Sequence, residues 1–135
     1  MGTVFLKAFV IWLLLLALAI LNAGIREKLL ASWFGPQLAL PLSGLSLSLL
    51  IFLVTLLVAP LLKARKAVHY WMVGAIWLAM TISFEFLFGH LVIGHSWAKL
   101  LEAYNVSTGN LWLLVLLVTA VSPYLAARAR GLLTP

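Results

Sequence analysis

Four stretches of about 20 residues each, nearly all apolar, restrict this chain to one solvent in which it can fold. They run from about Val4 to Ala23, Ser43 to Leu62, Val68 to Gly89 and Asn110 to Ala127. A helix needs about 20 predominantly apolar residues to cross a bilayer, and each stretch meets that length. The second and fourth carry no charge, the first has Lys7 near its start, and the third contains Glu85. Pro60 and Pro123 lie near the ends of the second and fourth, where a missing backbone donor costs least. Composition closes the alternative. A soluble domain carries about 25% charged residues; this chain carries 9%, with 65% hydrophobic. The expected fold is therefore all-α, a four-helix transmembrane bundle forming one domain over residues 1–135.

The same residues exclude several function classes. With no cysteine there are no disulfides, thiolate metal sites or cysteine nucleophiles. No Gly-rich phosphate loop and no G-x-S-x-G elbow occurs. The net charge of +6 does not form a basic stripe interleaved with aromatics, so nucleic acid is not an expected partner. No cofactor is expected. The first stretch has the parts of a signal peptide, Lys7 followed by an apolar run and Ala17-Leu18-Ala19. Its apolar run is long for a signal, and it is read as a span.

Basic residues set the threading. With the N-terminus inside, Lys7, Lys63, Arg65, Lys66, Arg128 and Arg130 are cytoplasmic, and Arg26, Lys28 and Lys99 are outside. The excess predicts a multi-pass protein of a cell inner membrane with both termini cytoplasmic. Glu27 and Glu102 then lie in outer segments and Glu85 in the outer half of the third span.

The two halves also resemble one another. Ile11-Trp12-Leu13 and Gly24 match Ile76-Trp77-Leu78 and Gly89 at constant offset, and Val58-Ala59-Pro60 corresponds to Val121-Ser122-Pro123. A parallel duplication of a helical hairpin would give this pattern, as would chance matching in a Leu/Ala-rich alphabet. In the outer segments, Trp97, Leu100, Leu101 and Tyr104 recur at helical spacing, with Ser96 as a cap. They predict a short interfacial helix, and Ile25, Leu29 and Trp33 sketch a weaker one before Gly35-Pro36.

Glu85 is the most informative side chain. A carboxylate in a span costs roughly 2.5–3.5 kcal/mol at the bilayer centre and so faces the bundle interior or a wet cavity. Gly74, Leu78, Thr81, Glu85 and Gly89 share one helical stripe of mostly small and polar residues, which points Glu85 inward. Asn22 and Arg26, one turn apart at the outer end of the first span, are its expected partners. The candidate binding residues are Glu85, Arg26, Asn22, Glu27, Thr81, Tyr104 and Asn105. A buried ion pair that only fixes helix register is the competing role. His90 and His95 could join Glu85 around a metal, but their spacing does not converge on one face, and no metal site is expected. Ser46, Ser48 and Thr55 on the uncharged second span are read as helix–helix hydrogen bonders. Asn105-Val106-Ser107 is a glycosylation sequon.

The run Leu21-Asn22-Ala23-Gly24-Ile25-Arg26-Glu27-Lys28-Leu29-Leu30, with Thr81, Phe84-Glu85-Phe86, Phe88-Gly89, Ser96-Trp97 and Tyr104-Asn105, resembles a group of small four-helix bacterial integral membrane proteins. The resemblance covers most of the chain and implies topology; it brings no activity. The chain does not look like the small multidrug-resistance proteins, whose key acid lies in the first helix. The expected function is transport or permeation of a small solute or ion through an outer-leaflet site around Glu85 and Arg26. The alternative is a structural or accessory subunit of a larger membrane complex. A membrane-embedded enzyme acting on lipid ranks third, for want of a nucleophile with a base, and an enzyme is not favoured. The bilayer is the expected partner, with a homo-oligomer or larger complex beside it, because four helices enclose little space.

Overall fold

A computed structural model describes residues 2–25, 28–29, 31–104 and 111–133. Among them the chain is helical, with no strand. Helix α1 spans Gly2–Ile25, α2 Ala31–Phe34, α3 Pro36–Val58, α4 Ala67–Leu87, α5 Trp97–Leu101 and α6 Trp112–Ala129. Four segments are long and apolar enough to cross a membrane: Thr3–Ile25, Pro41–Leu62, Ala67–Val92 and Trp112–Ala129. The protein is thus an all-α bundle of four spanning helices, as the apolar stretches predicted.

Local chemistry sets the ends. α3 begins well before the expected Ser43, because Gly35 takes a positive φ of 83° and Pro36 follows in the first helical turn. Glycine enters that region without steric cost, and proline's missing donor is harmless in a first turn. Pro41 lies inside α3 but still close to its start, where few backbone bonds depend on it. Of the weak helix expected around Ile25, Leu29 and Trp33, Ile25 ends α1, Lys28 and Leu29 are π-helical, and Trp33 lies in the single turn of α2. At its far end α3 tightens into a 3-10 turn, Ala59–Leu62, containing Pro60. Lys63 closes this turn in the left-handed conformation, with its N–H donating to the Pro60 carbonyl at 3.2 Å. Tyr70, fully buried, donates its hydroxyl to the Ala64 carbonyl and ties the α3–α4 turn to α4. Its ring fills the core.

α4 outlasts the expected Gly89 by changing pitch. A π turn, Phe88–Val92, closes with Ile93 N–H donating to the Phe88 carbonyl at 3.1 Å. Gly94, at φ 85°, turns the chain into α5. Ser96 caps α5, its hydroxyl accepting from the Lys99 N–H at 3.1 Å, as its position predicted. The face drawn through Trp97, Leu100, Leu101 and Tyr104 divides: Leu100 is buried, Tyr104 half-buried, and Trp97 and Leu101 are exposed. A 3-10 turn, Glu102–Tyr104, completes the segment. α6 contains Pro123 in its body, buried, and ends with Leu132 N–H reaching the Ala127 carbonyl at 2.9 Å beyond Gly131.

α6 is the central packing element, lying along both α3 and α4, while α1 makes lighter contacts. Gly74 admits α6 so closely that its Cα hydrogen faces the Ala120 carbonyl. Gly44 of α3 lies against Leu111 at the head of α6, and Arg130 at the tail of α6 donates to the Leu56 carbonyl near the end of α3, at 2.9 Å. α3 and α6 therefore run parallel. Two indoles bind α1 to α4: Trp12 Nε1 donates to Thr81 Oγ1 at 2.9 Å, and Trp77 Nε1 donates to the Ala8 carbonyl at 2.8 Å. The matched tryptophans of the sequence repeat thus both tie α1 to α4 but bond to different groups. The core is built from Ile11 and Leu15, Leu47 and Ile51, Val73 and Trp77, and Val115. Many large apolar side chains point outward instead, among them Leu6, Leu57, Leu91 and Leu117. In hydrocarbon such a surface carries no penalty, and packing and hydrogen bonds hold the helices together.

Candidate functional site

Glu85 lies near the end of α4 and is half-buried. Its Oε2 accepts two hydrogen bonds, from the Tyr104 hydroxyl at 2.9 Å and from Trp112 Nε1 at 2.7 Å. The donors come from the 3-10 turn after α5 and from the first residue of α6. Two short bonds from different elements fix the orientation of the Glu85 carboxyl group. Phe86 stacks on Tyr104, with ring centroids 6.0 Å apart and planes within 7°, and so places the phenol. Burial first, and then the neighbouring carboxylate, push the Tyr104 phenol up to about 12. It therefore remains a donor at neutral pH.

The carboxylate lines a cleft of about 370 Å³ walled by all four spanning helices. α1 contributes Trp12, Leu15, Leu16, Ala19 and Asn22, α3 contributes Ser43 and Leu47, and α6 contributes Trp112 and Val115. Thr81, Phe84 and Glu85 complete it from α4. Asn22, Ser43, Thr81 and Thr119 add polar groups to the carboxylate, and most of the wall is apolar.

Asn22, buried, is not bonded to Glu85 as expected. Its Nδ2 donates to Ser46 Oγ at 3.0 Å, and its Oδ1 accepts from the Ser43 hydroxyl, so its partners are on α3. Thr81 accepts from Trp12, and Tyr104 alone among the described candidates contacts Glu85 directly. The expected Arg26, Glu27 and Asn105 lie outside the described residues, and with them the Glu85–Arg26 pair and the sequon. The reading of the serines holds for Ser46, which bonds across to α1. Thr55 instead donates back to the Ile51 carbonyl of its own helix.

Among the described residues no three potential metal ligands come together. His90 turns away from Glu85: its ring stacks on Trp97 at 3.9 Å, and its Nδ1 lies 2.9 Å from the His95 carbonyl. Trp112, Trp12 and Ser43 are the site residues that sequence reasoning missed. For Trp112 a signal existed: an indole N–H at the head of a span, within reach of a carboxylate at the same depth, is suited to pair with it. Comparison with protein-family models, with curated proteins and with solved structures gave no match.

Proposed function

We propose that this multi-pass membrane protein binds and passes a small solute or ion, with the cleft around Glu85 as its binding site. The observation that carries this reading is the position of the carboxylate. It is oriented by Tyr104 and Trp112 in the wall of a cleft that every spanning helix helps to build. Ionisable groups inside membrane spans are functional candidates for the reason that their desolvation is costly. In this reading the Glu85 end lies in the outer leaflet of a cell membrane. Lys63, Arg65, Arg128 and Arg130 lie at the opposite end of the bundle, which supports cytoplasmic termini. A cysteine introduced at position 102 should then react with an impermeant reagent on intact cells, and one at position 65 only after lysis. The reverse pattern would invert the topology.

An accessory-subunit reading draws on a different observation. Asn22, Ser43, Ser46, Trp12 and Thr81 all bond helix to helix, so much of the cleft's polarity already serves packing. One substitution series separates the two. In vesicles carrying the purified full-length chain, fluxes of protons, potassium and methylammonium are compared for the parent and Glu85→Gln. A solute-passing protein loses its flux on this substitution and keeps its thermal unfolding temperature. If the charge serves only structure, no such flux exists. Glu85→Gln and Arg26→Gln then each destabilise the fold, and a charge-swapped double variant recovers it.

A further inference from the structure

We propose that the cleft takes a small amphiphile bearing an ammonium group, with the ammonium on Glu85 among Trp12, Phe84 and Trp112 and the apolar body along Leu15, Leu47 and Val115. This rests on the cleft being a binding site and names the class of its occupant. The volume of about 370 Å³ falls within the range of small-molecule sites. Charge decides the head group. Among the described residues that line the cleft, Glu85 is the acidic group, and a carboxylate there favours a cationic head group.

The aromatic groups sharpen the choice. Trp12 and Phe84 meet edge to face at 6.2 Å, and Trp112 is fixed beside the carboxylate by its own hydrogen bond. An ammonium among ring faces gains from their quadrupoles, and most where water is scarce. A bare metal cation is poorly served, because hard cations require several oxygen ligands. Of the oxygen-bearing groups in the lining, Asn22 and Ser43 already bond to one another, and Thr81 accepts from Trp12. Most of the wall is hydrocarbon, which suits an alkyl or aryl body rather than a hydrated ion. Access is also in place. Ile20 lines the cleft yet is 60% exposed, and its neighbours Leu16 and Ala19 are half-buried. The α1 wall therefore opens sideways, toward the phase in which an amphiphile dissolves.

The test uses the full-length protein in detergent micelles, with tryptophan fluorescence as the readout. The probes are benzyltrimethylammonium, its uncharged isostere neopentylbenzene, and benzenesulfonate. The cation is expected to bind and the sulfonate not to bind. Glu85→Gln should weaken the cation by about tenfold or more and leave the isostere unchanged. Phe84→Leu, which removes a ring but no hydrogen bond, should weaken the cation about threefold and keeps the test open if Glu85→Gln fails to fold. Equal affinity for cation and isostere, cation binding indifferent to both substitutions, or no cation binding would each overturn the proposal. Vesicle flux separates this from the functional reading. Charge-selective binding without flux keeps the ligand class and removes transport. Glu85-dependent flux of potassium or protons without cation binding does the opposite.

Discussion

Gly74→Ala is expected to cost about 3 kcal/mol of stability, the upper end of what overpacking costs. The added Cβ would fall inside the van der Waals shell of the Ala120 carbonyl oxygen, with the carbonyl carbon 2.9 Å away. Both atoms belong to the backbone of α6, so no rotamer change relieves the contact, and α4 and α6 must separate. α6 also lies along α3, so the displacement spreads through the bundle. Gly24→Ala is the matched control, because nothing lies within 4 Å of a Cβ at that position of α1. It should be neutral or stabilise by up to about 1 kcal/mol, through helix propensity. Titration of both variants with a denaturing detergent, followed by far-ultraviolet dichroism and tryptophan fluorescence, reads the difference. Equal midpoints for Gly74→Ala and the parent would rule out the close crossing of α4 and α6.

Trp77→Ala should cost about 3–5 kcal/mol, the range for emptying a large buried aromatic site. Trp77 is the largest fully buried side chain and lies between α1 and the rest of the core. Its loss removes packing around Val73 and also the bond from Nε1 to the Ala8 carbonyl. Trp77→Phe separates these contributions. It keeps most of the ring volume and loses the bond, for about 1 kcal/mol. Because α1 makes lighter contacts than the other long helices, its detachment should be the first event in the alanine variant. A spin label on α1 would report that detachment before global unfolding. Alanine and phenylalanine variants of equal stability would show that Trp77 acts through its hydrogen bond alone.

The spans were legible because length and apolarity are all that a bilayer requires, and four segments satisfied both. Ser96 was legible as a cap because the capping bond is local: its acceptor and donor are three residues apart. The start of α3 was missed because Gly35-Pro36 reads equally as a loop or as the entry to a helix, and only the positive φ decides. The partners of Glu85 were missed for another reason. Tyr104 and Trp112 lie 19 and 27 residues further along the chain, and the α5 segment must fold back to bring the phenol to the carboxylate. Depth in the bilayer suggests which groups can meet, but it does not show that two neutral donors from beyond α5 reach the carboxylate. Asn22 illustrates the same point, since the chain offered it both Glu85 and the serines of α3, and packing selected the serines.

The paired indole and amide bonds also impose an order on biogenesis. Asn22 leaves the ribosome before Ser43 and Ser46, and Trp12 precedes Thr81 by 69 residues. α1 therefore enters hydrocarbon with an amide and an indole N–H still lacking their eventual partners, a state that hydrocarbon penalises. Arrival of α3 relieves the first and arrival of α4 the second. Each newly synthesised helix thus removes a defect left by the one already waiting, and the nascent chain is drawn into its final arrangement in the sequence in which it is made.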